Sequence, residues 1–329
     1  MRAAGVGDRW DDRWMAAALM LADRGRGRTA PNPNVGCVIE AGGRVVGRGW
    51  TQPGGRPHAE AMALEQAGAA ARRATAYVTL EPCARPGRGP ACADGLIAAG
   101  VARVVIATGD PFPAVDGAGI AKLEAAGIAV TIGPMGEAAR RSMTGFLTRQ
   151  RLGRPMVTLK LATSLDGRIA RPDGESRWIT GPEARAHTHL ERSRHEAILV
   201  GRGTLEADAP RLDVRLAGLE ARGPRRLLLS SRGAPAGWEG IAAPGDIAGL
   251  SGIDHVLVEG GAGAASAFLA DDLVDRLILY RAPILIGEGR PAIGAIGLAT
   301  LAEAHGRWRM IDARMLGSDR LEVYERLRS

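Results

Sequence analysis

Apolar positions in the first stretch of the chain recur at helical spacing. Trp14, Met15, Ala18, Leu19 and Ala22 share one face and predict an amphipathic helix over residues 9–24, closed before Gly25. After a Pro-Asn-Pro-Asn turn the period shortens. Apolar runs at 35–39 and 44–50 flank Gly42-Gly43 and predict a hairpin. Beyond it the pattern alternates: helix 58–67, strand 76–80, a helix from Cys92 to Ala99, strand 104–107, helix 120–126, strand 128–132 and helix 137–148. That order predicts a three-layer α/β domain.

The polar stretch 148–155 ends in Gly-x-Pro and predicts a boundary between a domain at 1–150 and another at 151–329. The second half opens with strand 156–162 and a turn at 164–168. A helix follows, with Thr180 as N-cap and Glu183 completing a capping box. Buried strands are expected at 197–201, 226–229 and 255–258, and β-rich runs at 274–286 and 321–324. Between the third strand and an apolar helix through Phe268 lies Glu259-Gly260-Gly261-Ala262-Gly263. Such glycines suit a phosphate at a helix N-terminus, and they equally suit close packing. No acidic ribose-binding residue stands about twenty positions on, which disfavours a doubly wound dinucleotide fold.

Composition narrows the function classes. The net charge of +7 comes almost wholly from arginine, Lys122 and Lys160 being the only lysines, and the arginines are scattered. With aromatics at 4%, stacking surfaces for nucleic acid are not expected, and the charge reads as solvated surface with a few arginines recruited for phosphate. No apolar run reaches the roughly 18 to 20 residues of a membrane span, and Asp8, Asp11, Asp12 and Arg13 interrupt any signal peptide. A cytoplasmic protein is expected, with Cys37 a small buried hydrophobe.

The chemistry concentrates in His58-Ala59-Glu60, Pro82-Cys83 and Cys92. One imidazole and two thiolates hold Zn²⁺ while leaving a fourth tetrahedral position for water, and Glu60 follows His58 closely enough to move protons without being a ligand. A closed structural zinc would need a fourth Cys or His, and the first half of the chain has no other histidine. Cys83 and Cys92 enclose eight residues rich in Gly, Pro and Arg, a positively charged turn suited to a phosphorylated substrate. Two other readings are a zinc deaminase of nucleosides or tRNA with an accessory C-terminal binding domain, and a non-enzymatic zinc scaffold. The second leaves Glu60 unexplained.

Several motifs in order carry a family resemblance. Thr29-Ala30-Pro31-Asn32-Pro33-Asn34-Val35-Gly36-Cys37, His58-Ala59-Glu60-Ala61, Thr79-Leu80-Glu81-Pro82-Cys83 and Gly87-Arg88-Gly89-Pro90-Ala91-Cys92 occupy the first half. Lys160-Leu161-Ala162-Thr163-Ser164-Leu165-Asp166-Gly167-Arg168, Gly174-Glu175-Ser176-Arg177-Trp178, Thr204-Leu205-Glu206-Ala207-Asp208 and Val258-Glu259-Gly260-Gly261 occupy the second. Over nearly its whole length the chain resembles the bifunctional riboflavin-biosynthesis deaminase/reductases. The resemblance implies a cytidine-deaminase-like domain followed by a dihydrofolate-reductase-like α/β domain. It also implies Zn²⁺ and NADPH as cofactors, phosphorylated pyrimidines as substrates, and neither nucleic acid nor membrane as partner; homo-oligomerisation stays open. By position, His58, Cys83 and Cys92 would bind zinc and Glu60 would shuttle protons. Ala162, Trp178, Thr204, Asp208, Ser231 and the turn Gly261, Ala262, Gly263, Ala264, Ala265, Ser266, Ala267 would meet NADPH. Ser176, Arg192, Leu212, Arg215 and Glu259 would meet the reductase substrate, with Arg192 and Arg215 clamping its phosphate. The chain departs from the family pattern at Arg85, where a His is common, at Gly89 and Ala91 in place of Thr and Pro, and at Ala209 in place of an acid.

Overall fold

The computed structural model describes residues 6–87, 89–110 and 117–328, with side chains from residue 10 onward. It divides into two compact units, Met1–Gly153 and Arg154–Ser329.

The first unit is built on β1 (Gly36–Ala41), β2 (Arg44–Trp50), β3 (Thr75–Val78), β4 (Arg103–Ile106) and β5 (Ala129–Ile132), in sheet order β2-β1-β3-β4-β5. β1 runs antiparallel to both its neighbours, and β3, β4 and β5 are parallel. The hairpin turn uses Gly42 and Gly43 at φ of 60° and 80°, a conformation in which side chains are strained. Helices α1 (Val6–Ala22), α2 (Ala59–Ala67), α3 (Cys92–Ala99) and α4 (Ala118–Ala125) cover the sheet. Glycine sets how closely α2 approaches: a Cβ on Gly47 would stand 2.2 Å from the Ala63 carbonyl oxygen, and one on Gly49 2.0 Å from that of Ala59. The expected helix at 137–148 is two, α5 (Gly136–Ser142) and α6 (Thr144–Leu152). The break at Met143 turns its side chain fully into the core.

The second unit contains β6 (Met156–Thr163), β7 (Arg168–Ala170), β8 (Ala197–Gly201), β9 (Arg225–Leu229), β10 (Glu239–Ile241), β11 (His255–Val258), β12 (Arg276–Arg281), β13 (Arg290–Pro291), β14 (Trp308–Leu316) and β15 (Asp319–Arg326). Its main sheet has the order β10-β9-β8-β11-β6-β12-β15-β14. The first six strands are parallel and the β14–β15 hairpin is antiparallel. Three helices accompany it, α7 (Pro182–Arg192), α8 (Arg202–Asp208) and α9 (Ala262–Ala270). Asp275, beside β12, accepts both terminal nitrogens of Arg154 at 2.7 and 2.9 Å, the Val157 N–H at 2.8 Å and Arg328 Nη1 at 2.5 Å.

Two local expectations are corrected. Gly181, not Thr180, is the N-cap of α7, and no side-chain cap forms there. The distant Asp319, at the start of β15, instead accepts the Gly181 N–H at 2.6 Å, so the capping box has no role to fill. The β-rich run expected at 274–286 yields a strand only over Arg276–Arg281, and β14 was not anticipated because its burial does not alternate.

Candidate functional site

In the first unit, β2 delivers the chain to His58, the N-cap residue of α2, and β3 delivers it to Cys83. Cys92 is the first residue of α3. Its N–H donates to Cys83 Sγ at 3.2 Å and the next N–H, of Ala93, to the Cys83 carbonyl at 3.1 Å, so Cys83 caps the helix that carries the other thiol. Buried Glu81 fixes the approach. Its carboxylate accepts the N–H groups of Gly117 at 3.1 Å and Gly119 at 2.8 Å, tying the Cys83 loop to the start of α4.

His58 Nδ1 lies 3.2 Å from Cys92 Sγ and 3.7 Å from Cys83 Sγ, and the three ligand atoms fall within 4.8 Å of one another. Metal–ligand arms of about 2.0 to 2.3 Å span such a triangle, so the donor set fits zinc in both chemistry and size. The other imidazole nitrogen is 3.0 Å from the Asn32 amide, an outer contact of the kind that fixes a ligating ring. The Cys92 hydrogen bond draws the Cys83 pKa down to about 4 and, from the other side, pushes that of Cys92 up. Burial raises the pKa of Glu60, 4% exposed, against the opposing pull of His58. Burial thus makes proton uptake by this carboxyl easier than by an exposed one, which suits a proton shuttle. Cys37 is fully buried, its pKa raised by burial. Arg85 is exposed, and Arg88 lies outside the described residues.

In the second unit, the parallel strands present their C-terminal ends to a cleft of about 1100 Å³. Ala162, Trp178, Thr204, Asp208, Gly261, Ala262, Gly263 and Ala264 line it, as do Ser176, Arg192, Leu212, Arg215 and Glu259. Ser231, Ala265, Ser266 and Ala267 are not among its lining residues. Ser231 is exposed in the turn after β9, Ala265 is fully buried in the core, and Ser266 Oγ accepts the Gly294 N–H at 2.7 Å. Only the first turn of a helix has free N–H groups to offer, which is why α9 meets the cleft at its start alone.

The floor of the cleft holds a charge cluster. Arg192 donates from Nε and Nη2 to the two Glu259 oxygens at 2.7 and 2.8 Å, and to the Asp213 carbonyl at 3.1 Å. Lys160 Nζ stands 3.8 Å from Glu259. Burial lowers the Lys160 pKa against the pull of Glu259; for Glu259, burial is outweighed by Lys160 and Arg192, and its pKa is lowered. Nothing in the sequence around Lys160 signals which carboxylate a neighbouring strand will supply.

Known proteins match both units. The cytidine and deoxycytidylate deaminase zinc-binding region matches residues 8–108, and the RibD C-terminal domain matches 155–237 and 247–320. The riboflavin biosynthesis protein RibD of Escherichia coli K12 is 40% identical, over 94% of this chain and 97% of its own. The chain belongs to the RibD family. The fold agrees. RibD of Acinetobacter baumannii superposes with a TM-score of 0.85 at 37% identity, covering 98% of this chain and all of that one. A diaminohydroxyphosphoribosylaminopyrimidine deaminase/5-amino-6-(5-phosphoribosylamino)uracil reductase of Thermotoga maritima does so at 0.88 and 32% identity, with the same coverage. Members of the family join a zinc deaminase to a reductase, and this chain carries both parts. No helix among the described residues is long and apolar enough to cross a membrane.

Proposed function

We propose that residues 1–150 deaminate 2,5-diamino-6-(5-phosphoribosylamino)pyrimidin-4-one and that residues 151–329 reduce the resulting 5-amino-6-(5-phosphoribosylamino)uracil to its ribityl form, in the cytoplasm. The observation that carries this reading is one imidazole and two thiols converging beside the buried carboxyl of Glu60, in a chain that also holds a cleft large enough for cofactor and substrate together. When bound, zinc supplies a Lewis-acidic position for water and NADPH supplies hydride.

His58, Cys83 and Cys92 would hold the metal. Glu60 accepts a proton from the attacking water and passes one to the departing amine nitrogen, so the group leaves as ammonia. In the cleft, the first-turn N–H groups of α9 would hold the cofactor pyrophosphate, and Ala162, Trp178, Thr204 and Asp208 would contact the rest of it. The ribosylamine must open before its first sugar carbon can be reduced, and Lys160 and Glu259 are the donor and acceptor nearest to that task. Arg192 is committed to Glu259 and acts as its positioning residue, which leaves Arg215 and Ser176 for the sugar phosphate. Ammonia release from the diaminopyrimidine, followed separately from NADPH oxidation with the deaminated pyrimidine, tests each half. Ammonia release from cytidine with no NADPH oxidation would favour the nucleoside or tRNA deaminase.

A further inference from the structure

We propose that Tyr280 is a positioning residue of the reductase half: the face of its ring holds the Lys160 ammonium in the cleft floor as a charged donor with free N–H groups, and His187 and Arg314 hold the ring. The proposal rests on the reductase reading and adds to it a residue outside the cleft lining. Strand register sets the arrangement. β12 runs parallel to β6, with Ile278 opposite Lys160 and Tyr280 opposite Ala162. Alternation puts all four side chains on one face of the sheet, where Ala184 of α7 clusters with Ile278, Tyr280 and Ala162. Arg192, the last residue of the same helix, takes both Glu259 oxygens at 2.7 and 2.8 Å. Lys160 is left 3.8 Å from Glu259, an ion pair beyond hydrogen-bond length, and among the described residues no acceptor hydrogen-bonds its Nζ.

A largely covered ammonium with one long ion pair needs a further source of stabilisation to keep its charge. The Tyr280 ring supplies it. Lys160 Nζ lies over that ring, 5.7 Å from its centroid, within reach of a cation–π attraction that strengthens as water is excluded. A ring face attracts the charge without claiming an N–H, whereas a second carboxylate would accept one and hold it. The ammonium donors thus stay available to the substrate. As the bond between the first sugar carbon and the ring oxygen breaks, that oxygen takes a proton from Lys160. The lone pair of the amine nitrogen then makes the C=N bond that hydride reduces, and Lys160 recovers its proton from solvent. The ring is held at its other end. Tyr280 is 1% exposed, and its hydroxyl lies 2.7 Å from His187 Nδ1. His187 Nε2 lies 3.1 Å from Arg314 Nη2. A guanidinium only donates, so Nε2 accepts and the imidazole proton sits on Nδ1, which donates to the Tyr280 oxygen. Burial, with Arg314 in addition, lowers the His187 pKa and keeps the imidazole neutral for that role.

Replacing Tyr280 in the full-length protein by phenylalanine, and then by its mono-, di- and trifluorinated analogues, weakens the ring face stepwise at nearly constant shape. With the deaminated pyrimidine as substrate, kcat for NADPH oxidation is expected to fall with each fluorine, by about tenfold from phenylalanine to the trifluoro analogue, while KM for NADPH stays within about twofold. The alkaline limb of the kcat profile should move to lower pH in the same order, because a weaker ring face lets Lys160 lose its proton sooner. The other groups that face Lys160 stay constant through the series: Glu259 favours its charge, Arg192 opposes it, and His189 acts on Glu259. His187→Leu gives an independent reading that leaves the ring itself intact. Its kcat should fall about threefold or more, as loss of one hydrogen bond implies, with KM for NADPH again unchanged. Equal kcat across the fluorinated series, a fall in kcat with no movement of the alkaline limb, or parental kcat in His187→Leu would make Tyr280 a packing residue and overturn the proposal. A parent protein that oxidises no NADPH would instead refute the reductase reading itself. Unchanged ammonia release and NADPH affinity establish that each variant is folded.

Discussion

Burial is the largest influence on Glu60 and raises its pKa, whereas in Glu196 and Glu259 neighbouring cations outweigh burial. Glu60→Gln keeps the shape and removes the proton. Ammonia release should fall by about 10² to 10⁴, the usual worth of general acid–base help, while zinc content and NADPH oxidation stay at parental levels. Arg85→His restores the side chain common in the family at an exposed position, so the zinc content of that variant should equal the parent's. Residues of this kind were legible in the sequence because His58 and Glu60 are two positions apart, and because two thiols and one imidazole in a short span have few other uses. Lys160 and Asp319 were not. Each matters through a partner on an element distant in sequence, and no local pattern announces such a pairing.

At the scale of elements, the metal site depends on how closely α2 lies on β2. Gly49→Ala would put a methyl group against the Ala59 carbonyl, one residue from His58. The expected result is about 1 to 3 kcal/mol of lost stability together with weaker zinc retention in chelator competition, since the helix must lift and take His58 with it. Strands and helices of the first unit were readable because alternation, a Gly-Gly turn and a glycine after α3 all agree. The cap of α7 was misread for an instructive reason: Thr180 and Glu183 have the right spacing, yet a buried carboxylate from β15 reaches the Gly181 N–H first. Asp319→Ala should therefore cost about 0.5 to 2 kcal/mol, the range for a lost cap, whereas Thr180→Ala should cost much less in the same denaturant titration.

For the molecule as a whole, acid should act on the second unit through Glu259 and Glu196. Burial opposes both charges, but Lys160 and Arg192 hold the Glu259 pKa below 4.5, and His255 does the same for Glu196. A carboxylate whose folded pKa is depressed contributes stability that is complete above its unfolded value and drains away as pH falls through the folded one. The unfolding midpoint of this unit should thus be steady above about pH 5 and drop below pH 4.5. Glu259→Gln should flatten part of that drop while costing about 3 to 5 kcal/mol near neutrality, because two largely covered cations lose their counter-charge. Asp275 binds the molecule in another way. By gripping Arg154 where the unit begins and Arg328 where its last strand has ended, a single side chain makes entry and exit mutually dependent. Hydrogen exchange at β6 and β15 should accordingly rise in concert rather than in sequence when that carboxylate is removed, as a knot slackens at both cords at once.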